Sequence, residues 1–100
     1  MLEELKAKYG KVYTLTVNLD EDDATKTATI YLKKPDRTTR AVVGKLANVD
    51  SAKAVEACLK NLYIGGDKLE LILSNDDALA SCESSVVELL QVQSAVLKKN

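Results

Sequence analysis

Alternation of apolar and polar positions predicts two β-strands in the first third of the chain. Between residues 13 and 19 every second side chain is apolar, and Thr14, Thr16 and Asn18 fill the places between them. A second alternating run covers residues 27 to 33, with Ala28, Ile30 and Leu32 on one face and Tyr31 on the other. Residues 20 to 25 between the runs are polar and typical of a turn. We therefore predict an antiparallel β-hairpin with one apolar face.

Helical spacing of apolar residues predicts helices on both sides of this hairpin. Residues 2 to 9 are typical of a short helix that ends at Gly10. Pro35 and Asp36 suit the start of a second helix, and Asp50 suits the cap of a third helix that extends to Leu62. Because a two-stranded ribbon is only marginally stable in water, we expect both of these helices to lie on its apolar face.

A glycine pair follows the third predicted helix, in the stretch LYIGGDK. A glycine loop that binds nucleotide phosphates follows a strand and opens a helix, whereas this pair follows a helix. We therefore interpret Gly65 as the left-handed residue that ends the helix, with phosphate binding as the alternative. This interpretation predicts that Gly65→Val destabilises the fold, because a β-branched residue resists the left-handed conformation.

The last third of the chain predicts one closing helix. Asn75, Asp76 and Asp77 supply a cap and an acidic first turn, and apolar positions then recur at spacings of three and four. Residues 67 to 74 fit either a strand or a short helix. The prediction is an α+β fold in which an antiparallel β-hairpin is covered by three to four α-helices, in the order α-β-β-α-α-α. It forms a single domain, residues 1–100, comprising an N-terminal helix and hairpin (1–34), a helical pair (35–66) and a connecting segment with the closing helix (67–100).

Composition and charge narrow the functional classes. The chain has 100 residues, the size of one domain, and its 14 Lys and Arg against 15 Asp and Glu give a net charge of -1. Strong attraction to nucleic acid or to an anionic membrane is therefore not expected. The longest apolar runs are too short for a membrane span or a signal peptide, so we expect a cytoplasmic protein.

Few residues have the chemistry of a catalytic or metal site. The chain has no histidine, which excludes the usual Ser-His and Cys-His nucleophiles. The acidic run from Asp20 lacks the glycine and glutamate of a calcium-binding EF-hand, since Thr25 and Tyr31 stand at those places. Cys58 and Cys82 fit buried, reduced thiols, with a disulfide as the alternative. We predict no enzymatic activity, no cofactor and no metal.

Two groups of residues are candidates for binding a partner. The first is a basic group near Tyr31 that consists of Lys33, Lys34, Arg37 and Arg40. It could bind an anion or an acidic partner. In the alternative interpretation these charges are an ordinary solvated surface. A weak nucleic-acid interaction is the least favoured use of this group, because no aromatic residues are interleaved with the charges. The second is an apolar line on the closing helix, Val87, Val92 and Val96, which is ordinary core in the alternative interpretation.

The order of sequence features resembles that of small tail assembly chaperones of long-tailed phages and prophages. The stretches that carry the likeness are KYGKVYTLTV, YLKKPDRTTRAVV, CLKNLYIGGD, NDDALASC and VQSAVLKK, which together span nearly the whole chain. The resemblance implies a protein of the bacterial host cytoplasm that binds the tape-measure protein and helps to recruit tail-tube subunits, without chemistry. A small adaptor that self-associates through the hairpin edge or the last helix is the other class that stays open.

Overall fold

The computed structural model describes residues 2–91 and consists of a three-stranded antiparallel sheet with helices packed against one face. The elements in chain order are α1 Leu2–Tyr9, β1 Val12–Asn18, β2 Thr27–Lys33, α2 Arg37–Ala47, α3 Ser51–Leu62, β3 Tyr63–Gly66, α4 Glu70–Leu73, α5 Asp76–Ser81 and α6 Glu83–Gln91. The predicted α+β class is confirmed. The strand order is β1-β2-β3, so β2 is central.

The predicted hairpin is confirmed, including the face that it buries. β1 and β2 pair antiparallel, with Val17 opposite Ala28 and Leu15 opposite Ile30. Ala28, Ile30 and Leu32 are at most 2% exposed, which places the alternating apolar face of β2 at the centre of the core. Burial of such side chains is the main term that stabilises the sheet.

The glycine pair does not end α3 as predicted. Tyr63 follows the helix in an extended conformation (φ -61°, ψ 126°), and residues 63–66 form β3 on the free side of β2. Gly65 lies in this strand opposite Tyr31, and the left-handed residue is Gly66, with φ +95°. The interpretation of Gly65 was therefore wrong by one residue, because pairing with β2 carries the chain past the helix end before it turns.

Side-chain caps set the starts of α2 and α3 as predicted. The carboxylate of Asp36 accepts the N–H of Thr39 at 2.7 Å, and that of Asp50 accepts the N–H of Lys53 at 3.2 Å. α3 is the central helix and packs on β2, α5 and α6. α2 packs along α3 rather than on the hairpin. The expectation that both helices cover the hairpin was wrong for α2, whose buried face is narrow and is used against its neighbour.

The closing helix is divided in two at Cys82. Its start is as predicted, since the side chain of Asn75 accepts the N–H of Ala78 at 3.1 Å. The carbonyl of Ala78 then accepts the Ser81 hydroxyl at 2.7 Å and the Cys82 thiol at 3.3 Å, while the Cys82 N–H bonds Leu79 three residues back. These side-chain bonds compete with the regular helical bond. The prediction of one continuous helix was therefore wrong.

The structure also answers the remaining questions about residues 67–74, the two cysteines and a membrane span. Residues 67–74 include the short helix α4, whose Ile72 is fully buried. Cys58 and Cys82 are free thiols in the core, at 0% and 1% exposure. Within residues 2–91, no helix combines the length and the apolar character that a membrane span requires.

Candidate partner-binding site

An apolar groove lies where α2, α3 and α6 meet. Its cavity volume is about 390 Å³. Its lining consists of Arg40, Val43, Gly44 and Ala47 from α2, Ser51, Ala54 and Val55 from α3, and Glu83, Val86, Val87 and Leu90 from α6. We refer to these residues as the helix groove.

Small residues create the space in this groove. Gly44 and Ala47 on α2 lie across from Ala54 on α3, and a Cβ added to Gly44 would find no atom within 4 Å. Adjacent valines of α6 then have different roles. Val86 is 3% exposed and part of the core, whereas Val87 is 47% exposed at the rim. Val87 therefore adds exposed apolar surface to the rim of this apolar groove.

Arg40 fixes one end of the groove. Its guanidinium Nη1 donates a short hydrogen bond to the backbone carbonyl oxygen of Leu90, which joins α2 to α6. A hydrogen bond from a charged donor to a helix carbonyl is stronger than a neutral one. Arg40, predicted as part of a basic binding group, therefore also holds the two walls of the groove together.

The other basic candidates remain near one another at the end of β2. Lys33 is half-buried, and Lys34 and Arg37 are exposed. Asp36 lies among them as a counter-charge. Hydrogen bonds from the backbone N–H and hydroxyl of Thr39 lower the pKa of Asp36, with a smaller effect from Lys33. The group is thus a partly compensated basic surface in which the carboxylate already caps α2.

Tyr31 and Val87 lie on different surfaces. Tyr31 is half-buried in the middle of β2, between Thr14 of β1 and Gly65 of β3, on the sheet face away from the buried residues. Val87 lies in the helix groove. Val92 and Val96 fall outside the described residues. The predicted candidates therefore do not form a single site.

The hairpin loop has the geometry of a solvated turn. Asp23 accepts the hydroxyl of Thr25 at 2.5 Å and its N–H at 3.0 Å, and these two bonds lower the pKa of Asp23. Asp20 forms an ion pair with Lys26 at 3.9 Å, in which both side chains are exposed. In the part of the chain that the structure describes, no three His, Cys, Asp or Glu residues are grouped to hold a metal ion.

Sequence reasoning missed most of the groove. The second helix was expected to lie on the hairpin, but its Val43 and Ala47 line the groove together with residues of α3 and α6. A cluster of small residues around the end of α2 and the start of α3 could have indicated the groove. These residues are Gly44, Ala47, Ser51 and Ala54. Small residues on neighbouring helices mark either close packing or a trough, and only the position of α6 distinguishes the two.

Comparison with known proteins supports the fold. A solved structure of an uncharacterised protein from Bacillus stearothermophilus aligns with 99% of this chain and 100% of its own, with a TM-score of 0.68 and 20% sequence identity. At that identity the likeness concerns the fold alone. No protein-family model and no curated protein matches the chain.

Proposed function

We propose that this chain is a non-enzymatic tail assembly chaperone of a phage or prophage, which binds the tape-measure protein and helps to recruit tail-tube subunits. The client and its assembly partners come from the sequence resemblance. The observation that carries the binding role is the helix groove with the half-exposed Val87 at its rim.

An amphipathic helix is the ligand that best fits this groove. Grooves between helices commonly receive the apolar face of a further helix, which supplies side chains at spacings of three and four. The trough formed by Gly44, Ala47 and Ala54 leaves room for such side chains, and Val87 offers an apolar contact at its edge. A tape-measure protein is a long and largely helical chain, so many weak contacts of this kind would keep it soluble before assembly.

The experiment compares Val87→Asp with Leu71→Asp in binding to the tape-measure protein encoded near this chain's gene. The two side chains are 47% and 46% exposed, but Leu71 lies on α4 and does not line the groove. We expect Val87→Asp to weaken binding by about tenfold or more, which is about 1.4 kcal/mol, since the change removes an apolar contact and places an unpaired charge against an apolar ligand. Leu71→Asp should bind as the unaltered chain does.

Two results would overturn the proposal at different points. Equal binding by both variants would show that the groove is not the site. A gene neighbourhood without tape-measure and tail-tube genes would remove the proposed client and favour an adaptor for another helical partner.

A further inference from the structure

The outer edge of β1 is unpaired in the part of the chain that the structure describes. β1 pairs with β2 on one side, and no backbone hydrogen bond joins its other side to another described element. Just beyond the paired strands, the N–H of Leu19 donates to the carbonyl oxygen of Lys26. Because hydrogen-bonded pairs alternate along an antiparallel ladder, the backbone groups of the odd-numbered residues of β1 point toward β2 and those of the even-numbered residues point outward. The outward backbone groups are those of Val12, Thr14, Thr16 and Asn18.

The sequence of this edge lacks the short length, the charges and the proline that often prevent strand pairing. It is seven residues long, it contains neither proline nor charge, and Thr14 and Thr16 are exposed. Natural edge strands are usually short, charged or interrupted by proline. The opposite edge of the sheet, β3, is less suited to pairing with another strand, because it has only four residues and the chain turns at the left-handed Gly66.

Opposite charges lie at the two ends of β1. The register places Val12 beside Lys33, so Lys11 and Lys33 are close together at the start of the strand. Residues 20–23, all acidic, follow its end. The two ends are about 20 Å apart, more than twice the ~8 Å screening length at physiological salt, so they compensate each other little within one chain.

We propose that two copies of this chain pair through antiparallel β1 strands to form a dimer with a continuous six-stranded sheet. Antiparallel pairing about a two-fold axis places the basic start of each β1 beside the acidic end of its partner, so the same attraction occurs twice. The net charge of -1 offers little long-range repulsion between copies. This interface uses the sheet edge and not the helix groove, so it does not depend on the proposed client.

A charge-exchange experiment tests this dimer. Lys11→Glu with Lys33→Glu makes both ends of β1 acidic, and Glu21→Lys with Asp22→Lys places two lysines in the acidic run and brings its net charge to zero. Each double variant alone should associate about tenfold or more weakly than the unaltered chain. An equimolar mixture should associate more strongly than either variant alone, because the new glutamates of one variant lie beside the new lysines of the other. Lys45→Glu with Lys53→Glu, on α2 and α3, is the control with the same change of net charge as the first variant, and it should dimerise normally.

Sedimentation equilibrium gives the mass, and the expected species has twice the 10.9 kDa of the chain. A short edge interface is small, so the dimer should form between about 10 µM and about 1 mM and weaken as salt rises from about 0.05 M to about 0.5 M. An unaltered chain that stays monomeric over this range would overturn the proposal. So would association that resists salt, or a mixture of the two variants that fails to associate.

Amide hydrogen exchange distinguishes the β1 edge from other contacts between copies. The N–H groups of Thr14 and Thr16 should become protected as concentration rises, while those of Tyr13 and Leu15 should be protected at every concentration because they bond β2. Protection of Thr14 and Thr16 that does not change with concentration would also overturn the proposal.

Discussion

Gly66 has a backbone conformation that other residues adopt only with strain. Its φ is +95°, and a Cβ placed on it would lie 2.5 Å from the carbonyl oxygen of Thr29. We expect Gly66→Ala to lower the free energy of unfolding by about 3 kcal/mol, since left-handed strain costs roughly 1–2 kcal/mol and the clash with β2 adds to it. Urea denaturation measures this change.

Two other glycines provide matched controls for that substitution. Gly10 has φ +78° but open space around it, so Gly10→Ala should cost only the left-handed strain, about 1–2 kcal/mol. Gly44 lies inside α2 with no atom near its missing Cβ, so Gly44→Ala should stabilise the protein by up to about 1 kcal/mol. If Gly66→Ala costs no more than Gly10→Ala, the close approach to Thr29 is not a rigid feature of the fold.

The thiol of Cys58 makes stability depend on alkaline pH. Burial disfavours the thiolate and raises the pKa of Cys58 from 9.0 to about 11. An unfolded chain ionises near the lower value, so the folded state holds this proton more tightly. The contribution of this thiol to the free energy of unfolding is therefore fully present below pH 9 and is lost as pH rises from 9 to about 11. The loss is at most about 1.4 kcal/mol per pH unit.

Comparison with Cys58→Ala isolates this effect from other groups that titrate at alkaline pH. The variant has a smaller side chain and should be less stable at pH 7, but its stability should decline less steeply above pH 9. Urea denaturation between pH 7 and about 10.5 measures both slopes. Parallel slopes for the two proteins would show that the thiol does not contribute.

Single-residue signals predicted some local features of this fold and not others. Asp36, Asp50 and Asn75 accept backbone N–H groups at the helix starts, where their short polar side chains predicted caps. The glycine pair was harder to interpret, because either glycine can be left-handed. Pairing between β3 and β2 decides which one turns, and that pairing joins residues more than 30 positions apart.

Arg40 contributes to stability at the scale of elements, because it joins two helices. Arg40→Met keeps most of the aliphatic length but removes the hydrogen bond to the carbonyl of Leu90. We expect a loss of about 1.5–3 kcal/mol, the usual range for hydrogen bonds of charged groups. Arg37→Met on the same helix is the control, since Arg37 is exposed, and it should change stability by less than about 0.5 kcal/mol. Thermal denaturation compares the two, and equal effects would contradict the role of Arg40.

Regular elements were predictable where the pattern was long enough. Strands β1 and β2 have seven residues each and alternate over most of their length, and α3 has twelve residues with a continuous apolar stripe. β3 has four residues, two of them glycine, so it has little strand propensity and exists through its pairing with β2. The break at Cys82 had no proline or glycine to mark it. It results from the side chains of Ser81 and Cys82, which donate hydrogen bonds to the carbonyl oxygen of Ala78. The sequence alone does not show that these bonds form.

At the scale of the whole molecule, the core could be predicted but the groove could not. Alternation and helical spacing identify which side chains are buried, and Ile30, Leu59 and Leu62 are fully buried as their patterns indicate. Whether a helix faces the sheet or another helix depends on how all the layers fit together. α2 packs on α3 and is joined to α6 by the Arg40 hydrogen bond, so its apolar residues border a groove that its own periodicity does not distinguish from core.

The distribution of buried residues predicts where global stability resides. α1 has no buried residue, whereas Leu62 lies at 0% exposure between α3 and the sheet. We expect removal of residues 2–9 to cost less than about 1 kcal/mol, because little apolar surface is lost with them. Leu62→Ala should cost about 3–5 kcal/mol, since it leaves a cavity that the surrounding side chains cannot fill.

Urea denaturation of both variants at low protein concentration tests this contrast in the monomer. If removal of residues 2–9 costs as much as Leu62→Ala, then α1 supports the sheet more strongly than its exposure indicates. A repeat at high concentration adds a second comparison. If removal costs more there, the residues contribute to contacts between copies rather than to the fold of one chain, because association stabilises only the folded form that binds.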